Sequence, residues 1–243
     1  MNPEEYEKLD AIEDRHWWFY GLRSNLVTAL QRTMPDTRGD LLDAGCGTGA
    51  TMLHLRRALP LLQCIGMDVD EDACRLAHGK SGWATCAASV NQLPFQDQSF
   101  DIILSADVLC HSGVEVDVAL ADFYRSLRPG GSLVLSLPAY QWMMSFHDRA
   151  VSSVLRFSRK QILALVRSAG YSDIRITYWN TFLFPLMVLH RKFGNQTGSS
   201  DVRPVAAPLD LIFRVVMWME NRLLRWGITL PFGGSVLVTA KRQ

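Results

Sequence analysis

The stretch Asp40-Leu41-Leu42-Asp43-Ala44-Gly45-Cys46-Gly47-Thr48-Gly49-Ala50 decides how the rest of the chain is read. An apolar run of strand length ends at Asp43-Ala44, and three alternate glycines follow before a helix-length amphipathic segment begins. Glycines there let the backbone turn sharply and approach a ligand with no Cβ in the way, so a nucleotide-type cofactor belongs on this loop. Because Ala50 follows, the run also satisfies the looser G-x-G-x-x-[GA] dinucleotide pattern. Asp43 separates the alternatives, since a carboxylate two residues before the first glycine attracts a cationic amino-acid moiety and repels the pyrophosphate of NAD.

Outward from this loop, apolar runs of strand length alternate with amphipathic segments, the pattern of βαβ units stacked into a parallel sheet. Strands are predicted near Asp40–Ala44, Gln63–Asp68, Trp83–Ala87, Phe100–Ser105 and Ser132–Leu137, with helices near 50–59, 71–79, 115–128 and 158–169. Pro129-Gly130-Gly131 is expected to end a helix and turn the chain into the fifth strand, and Gly170 to close the 158–169 helix as a left-handed C-cap. Ser172–Tyr178 and Ser235–Ala240 alternate like strands and are expected to pair as an antiparallel hairpin. Residues 179–232 between them are too many for a hairpin loop and too apolar for a linker. Within them Leu209, Ile212, Val215, Val216, Met219, Leu223 and Leu224 recur at helical spacing and need a surface to bury them. The polar run Asn195–Asp201 is the expected mobile loop of this insertion.

A second acid, Asp68, ends the second strand, where a carboxylate can accept both hydroxyls of a ribose, and Asp70 is placed to cap the next helix. With Asp43, Gly45, Gly47, Gly49 and Asp68 in place, the chain resembles the class I S-adenosylmethionine-dependent methyltransferases (methyltransferase type 11-like), and Gln92-Leu93-Pro94-Phe95-Gln96-Asp97-Gln98-Ser99-Phe100-Asp101 is similar to that family's L-P-F-x-D-x-S-F-D segment. The resemblance covers roughly residues 38–178 and the closing strand at 235–240. It implies a Rossmann-like, seven-stranded, mostly parallel α/β sheet with an antiparallel last strand and helices on both faces. The implied division is an N-terminal helical lid (1–37), a cofactor-binding core (38–178), a helical insertion capping the acceptor (179–232) and a closing strand (233–243). It also implies S-adenosylmethionine as cofactor, S-adenosylhomocysteine as product, and cofactor contacts from Val69, Ser89, Val90 and Ala106 besides the residues already named. Ser89 stands where many members carry an aspartate for the adenine amino group, so a somewhat different adenine contact is expected.

His16-Trp17-Trp18-Phe19-Tyr20-Gly21-Leu22-Arg23 is either a helix corner packed on the sheet or part of a cofactor lid in which Trp18 covers the cofactor and Arg23 pairs with its carboxylate. His111 follows the fourth strand and His147-Asp148 the fifth, on the carboxyl edge where open α/β sheets place ligands. Both histidines are candidate general bases. The Ser145–Asp148 run resembles a subgroup carrying W-S-x-H-D and then H-x-R-R-Y-[ST], although the second run survives only as Arg156-Phe157-Ser158, with Ser153 where the subgroup often has histidine.

The chain has 243 residues, 48% of them apolar, and a formal net charge of +1, which suits a sizeable α/β domain with a small-molecule acceptor and no nucleic-acid partner. Five scattered cysteines without C-x-x-C spacing read as reduced thiols of a cytoplasmic protein, and the remaining histidines lack metal-ligand spacing, so no metal is expected. The apolar run Trp179–Leu189 is broken by Pro185 and too short to span a membrane. Peripheral membrane contact through the insertion, or a homodimer rather than a monomer, stays open. So do a non-catalytic cofactor-binding partner or membrane-surface scaffold and, less favoured by Asp43, an NAD-dependent oxidoreductase.

Overall fold

The computed structural model describes residues 10–145, 148, 151–193 and 205–243. Strands β1 (Gly39–Ala44), β2 (Leu62–Asp68), β3 (Ala84–Ala87), β4 (Phe100–Ala106), β5 (Leu127–Pro138), β6 (Ser172–Trp179) and β7 (Ser235–Lys241) form one sheet in the order β3-β2-β1-β4-β5-β7-β6. The first five run parallel, and β7 pairs antiparallel with both β5 and β6, as the hairpin reading requires. Leu41 and Leu42, Ile102 to Leu104 and Leu133 to Leu135 are buried on both faces, the near-continuous apolar strands of a sheet covered by helices on either side. The order reverses between β1 and β4, which opens a crevice at their carboxyl ends.

The helices are α1 (Trp17–Thr33), α2 (Ala50–Ala58), α3 (Glu71–Ser81), α4 (Val116–Ser126), α5 (Arg159–Ser168), α6 (Phe184–Phe193) and α7 (Ala207–Arg225). Asp70 caps α3 by accepting from the N–H groups of Asp72 and Ala73, and Ser158 with Gln161 forms a capping box on α5.

Two expectations need correction. Pro129-Gly130-Gly131 does not precede the fifth strand but lies inside it: α4 stops at Ser126, β5 starts at Leu127, and the pairing with β4 jumps from Phe100↔Leu127 to Ile102↔Ser132. Proline has no N–H to give the ladder and Gly130 sits at φ 77°, so this run loops out as a bulge.

The buried face of α7 also differs in part from the one the apolar spacing marked. Leu224 is buried and Val216 and Leu223 pack against the core as expected, but Leu209, Ile212, Val215 and Met219 are exposed, and Met217, Glu220 and Asn221 are buried instead. The cause is polar. Glu220 accepts from the backbone N–H groups of Asn180, Thr181 and Phe182, and the Asn221 amide donates to Asn25 Oδ1 and Thr28 Oγ1, both at 2.9 Å. These bonds turn the polar side of α7 onto α1, whose Gly21 admits Met217 so closely that a Cβ there would lie 3.0 Å from its sulfur. Trp17 N–H donates to Asp210 Oδ1 (2.8 Å), so the N-terminal helix and the insertion form one packed layer. The Asn195–Asp201 loop lies outside the described residues.

Candidate active site

The three loop glycines all have positive φ (Gly45 93°, Gly47 51°, Gly49 87°), but the space around them differs. A Cβ on Gly45 would strike Val108 at 2.0 Å and one on Gly49 the Cα of Ala77 at 2.5 Å, whereas one on Gly47 would meet nothing within 4 Å. Gly45 and Gly49 therefore satisfy packing, and Gly47 is the one that faces open space. Gly47 N–H donates to Asp68 Oδ2 (3.0 Å) and Asp70 N–H to Asp68 Oδ1 (3.1 Å), so the strand-end carboxylate is oriented from both sides.

A cavity of about 940 Å³ opens over this loop. Asp43, Gly45, Gly47, Asp68 and Val69 line it from the first two strands, and Ser89, Val90 and Ala106 from the next two. Gly49 is not among its lining residues. Ser89 Oγ already accepts from Asn91 N–H (3.2 Å), and Val69 stands exposed at the lip.

Asp43 is the most informative group. Its carboxyl is buried, Oδ2 has no hydrogen-bond partner, and burial first, then the charge of Asp68, pushes its pKa up to about 7. An unpartnered buried carboxylate is costly, and a ligand ammonium placed here would relieve it. That orphaned oxygen fits the amino-acid end of S-adenosylmethionine and disfavours a pyrophosphate.

From α1, Trp18 and Arg23 line the cavity. Trp18 packs against Trp179 with ring centroids 5.4 Å apart, while burial, opposed by Glu13 and Asp14, lowers the pKa of Arg23. The aromatic octet thus packs as a corner and faces the cavity at once. Preceding it, the buried Glu13 accepts from Thr48 Oγ1 and from Lys80, which fastens the N-terminal segment to the glycine loop and to α3. No sequence motif announces Glu13.

His111 lines the cavity, and burial lowers its pKa against hydrogen bonds that the ring donates to the 151–152 backbone, which raise it, so the net direction favours the neutral ring. His147 lies outside the described residues. The sequence reading missed Asp107, directly after β4. It sits at φ 56°, its Oδ1 lacks a partner, and burial, against the opposing charge of Arg156 and with that of Asp148, raises its pKa to about 7. A signal existed: a charged residue directly after an apolar strand, at the ligand edge of the sheet. Arg156 and Asp148 form a buried ion pair, Nε and Nη2 both donating to Asp148 Oδ1 (3.0 and 2.6 Å). The far wall comes from the insertion, through Leu183 and Met187 near or on α6 and Leu209 and Phe213 on α7.

Among the described residues no group of three or more His, Cys, Asp or Glu could hold a metal ion, and no helix is long and apolar enough to cross a membrane. All five cysteines are unpaired.

Fold and site together define a nucleotide-cofactor enzyme of the type that binds an amino acid-bearing nucleoside. The family model described as "Methyltransferase domain" matches residues 42–135. A malonyl-[acyl-carrier protein] O-methyltransferase of Herminiimonas arsenicoxydans is 30% identical over 193 residues, covering 74% of this chain and 73% of that protein. A fatty-acid O-methyltransferase of Mycolicibacterium smegmatis is 31% identical over 115 residues, but the match covers only 46% of this chain and 41% of that protein. In fold, the chain is similar to a crystallised S-adenosylmethionine-dependent methyltransferase of Thermotoga maritima (TM-score 0.61, 18% identity, 98% of this chain and 99% of that one). The chain belongs to the class I S-adenosylmethionine-dependent methyltransferases.

Gly47→Val tests the loop. Because a Cβ at this position has no protein atom within 4 Å, the variant should fold, with its melting temperature within a few degrees of the parent apart from the strain of the positive φ, yet lose cofactor binding by a factor of about 100 or more. Calorimetric titration with S-adenosylhomocysteine reads the loss.

Proposed function

We propose that this chain transfers the sulfonium methyl of S-adenosylmethionine to an oxygen of a small acceptor with an apolar body, of the class of acyl-chain carboxylates. The observation carrying this reading is that one cavity runs from Asp43 and Gly47 to an apolar wall of Leu183, Met187 and Phe213. Both curated relatives named above are O-methyltransferases of acyl substrates, which agrees in acceptor class. When bound, the cofactor supplies an activated methyl group and a good leaving group, so the protein has to align the reactants and exclude water.

In this reading Asp43 holds the amino group, Arg23 the carboxylate, Asp68 the ribose hydroxyls and Val90 with Ser89 the adenine edge. Trp18 closes the methionine end, and the insertion keeps the acceptor dry. A carboxylate arrives as its own nucleophile and needs no base. Proton acceptance by His111, His147 or Asp107 is then required only for a hydroxyl acceptor.

Incubation with methyl-labelled S-adenosylmethionine and a panel of fatty acids, with malonate and acetate as polar controls, tests the proposal. Labelled methyl esters are expected from the long-chain acids at saturating cofactor. Label appearing only in the short polar acids overturns the apolar acceptor. Tight cofactor binding with no label in any acid or in a lipid extract points instead to the non-catalytic reading.

A further inference from the structure

The orientation of α7 leaves exposed an apolar stripe that the acceptor site does not use. Glu220 and Asn221 face inward and are hydrogen-bonded, while Leu211, Ile212, Val215, Trp218 and Met219 repeat at helical spacing on the outer face, with Leu211 62% and Ile212 56% exposed. The stripe continues past the helix to Trp226, 74% exposed, and Ile228. A soluble helix normally turns such a stripe to the core, and an apolar face of this extent marks a surface that something covers.

The chemistry at its edges identifies the cover. Arg222 lies over the Trp218 ring at 5.1 Å and Arg225 adjoins Trp226, and on α6, whose Leu186 lines the same cavity as Leu209 of α7, Lys192 lies over the exposed Trp142 ring at 5.5 Å. The acids of α7 are withdrawn from this face: Asp210 pairs with Arg214 and Glu220 is buried. Tryptophan beside a long cationic side chain, flanking an aliphatic stripe, suits the boundary between lipid headgroups and acyl chains. In a symmetric contact between two copies the same patch faces itself, which would bring cation towards cation. Leu186 and Leu209 are each more than 40% exposed and also line the cavity, so the outer apolar surface runs into the mouth of the site.

We propose that the outer face of α7, with the exposed edge of α6, docks on an anionic phospholipid surface and holds the cavity mouth against it, so that apolar acceptors reach the site from the lipid. The docking itself stands on the surface residues alone and survives if the acceptor class proposed above is wrong.

Vesicle flotation with the full chain tests it, comparing phosphatidylcholine alone with phosphatidylcholine containing phosphatidylglycerol. Binding is expected to the mixed vesicles and to be at least about tenfold weaker to phosphatidylcholine alone. The double variant Ile212→Ser/Trp218→Ser, neither residue lining the cavity, should lose about tenfold or more of the binding while calorimetry shows unchanged S-adenosylhomocysteine affinity. Arg222→Gln/Lys192→Gln should lose about tenfold on mixed vesicles only. Failure of the parent to float, or equal flotation of the Ile212/Trp218 variant, overturns the proposal. So does a dimer in sedimentation equilibrium that the same variant dissociates, which would mean that a second copy covers the stripe.

Discussion

Arg156→Met is expected to destabilise the protein by about 3–5 kcal/mol, the cost of stranding a buried carboxylate. Asp148 and Arg156 are only 4% and 6% exposed. The guanidinium donates twice to Asp148 Oδ1 and once to Ala139 O (3.1 Å), while Asp148 Oδ2 accepts from the N–H and hydroxyl of Ser145. Methionine fills part of the space but returns none of the donors. Arg191, 3.6 Å from Asp148 Oδ2, offsets a fraction of the loss and sets the expectation at the lower end. Urea unfolding reads the difference. Burial raises the Asp148 pKa, but Arg156 and Arg191 outweigh it and hold it below 3.8, so this carboxylate's stabilisation is present above the unfolded pKa and is lost as pH falls through the folded one. The parent-to-variant gap should therefore close in acid, and Arg156→Met/Asp148→Leu should recover most of the loss. A single variant as stable as the parent at pH 7 would show that the pair is exposed to water rather than buried.

That pair also shows where sequence reading reaches its limit. Arg156-Phe157-Ser158 resembles the remnant of a substrate motif, yet each residue is occupied locally, since Arg156 neutralises Asp148, Phe157 packs in the core, and Ser158 caps α5. The glycine loop was legible because three backbone constraints fall within five residues, and its acids because strand ends place them at the ligand edge. Even so, the pattern treated Gly47 and Gly49 alike, and only the distance to Ala77 distinguishes a packing glycine from one that faces the cavity. Periodicity marks α7 and the inward Val216, Leu223 and Leu224, but not that Glu220 and Asn221 share the buried face, since apolar spacing carries no information about a distant chain turn at residues 180–182 whose N–H groups need a carboxylate. Glu13 and Asp107 escaped for a similar reason: each acquires its meaning from partners or burial far along the chain.

Asp43→Asn is expected to move cofactor affinity and apo stability in opposite directions. In the parent without cofactor, burial and Asp68 raise the Asp43 pKa from 3.8 to about 7, so the folded state holds a proton that the unfolded chain releases. For a carboxyl raised in this way, the contribution is fully present below the unfolded pKa and is lost as pH rises through the folded one, by as much as about 4 kcal/mol across that interval. Asparagine is nearly isosteric and never ionises, so the apo variant should be more stable than the apo parent at pH 8, with the gap narrowing towards pH 4. Cofactor binding should respond the other way, because a ligand ammonium needs the charged acceptor. Its loss should weaken S-adenosylmethionine binding by about 2–3 kcal/mol, or ~30- to 150-fold. The parent's affinity should rise with pH up to about 7 as Asp43 ionises and then level off, and in the variant this slope should vanish. Calorimetry between pH 5.5 and 7.5, in buffers of different ionisation enthalpy, would also detect the proton that Asp43 releases on binding. A variant that binds as tightly as the parent, or a parent whose affinity ignores pH over that range, would place the cofactor's amino group elsewhere in the cavity and leave the buried charge of Asp43 without its partner.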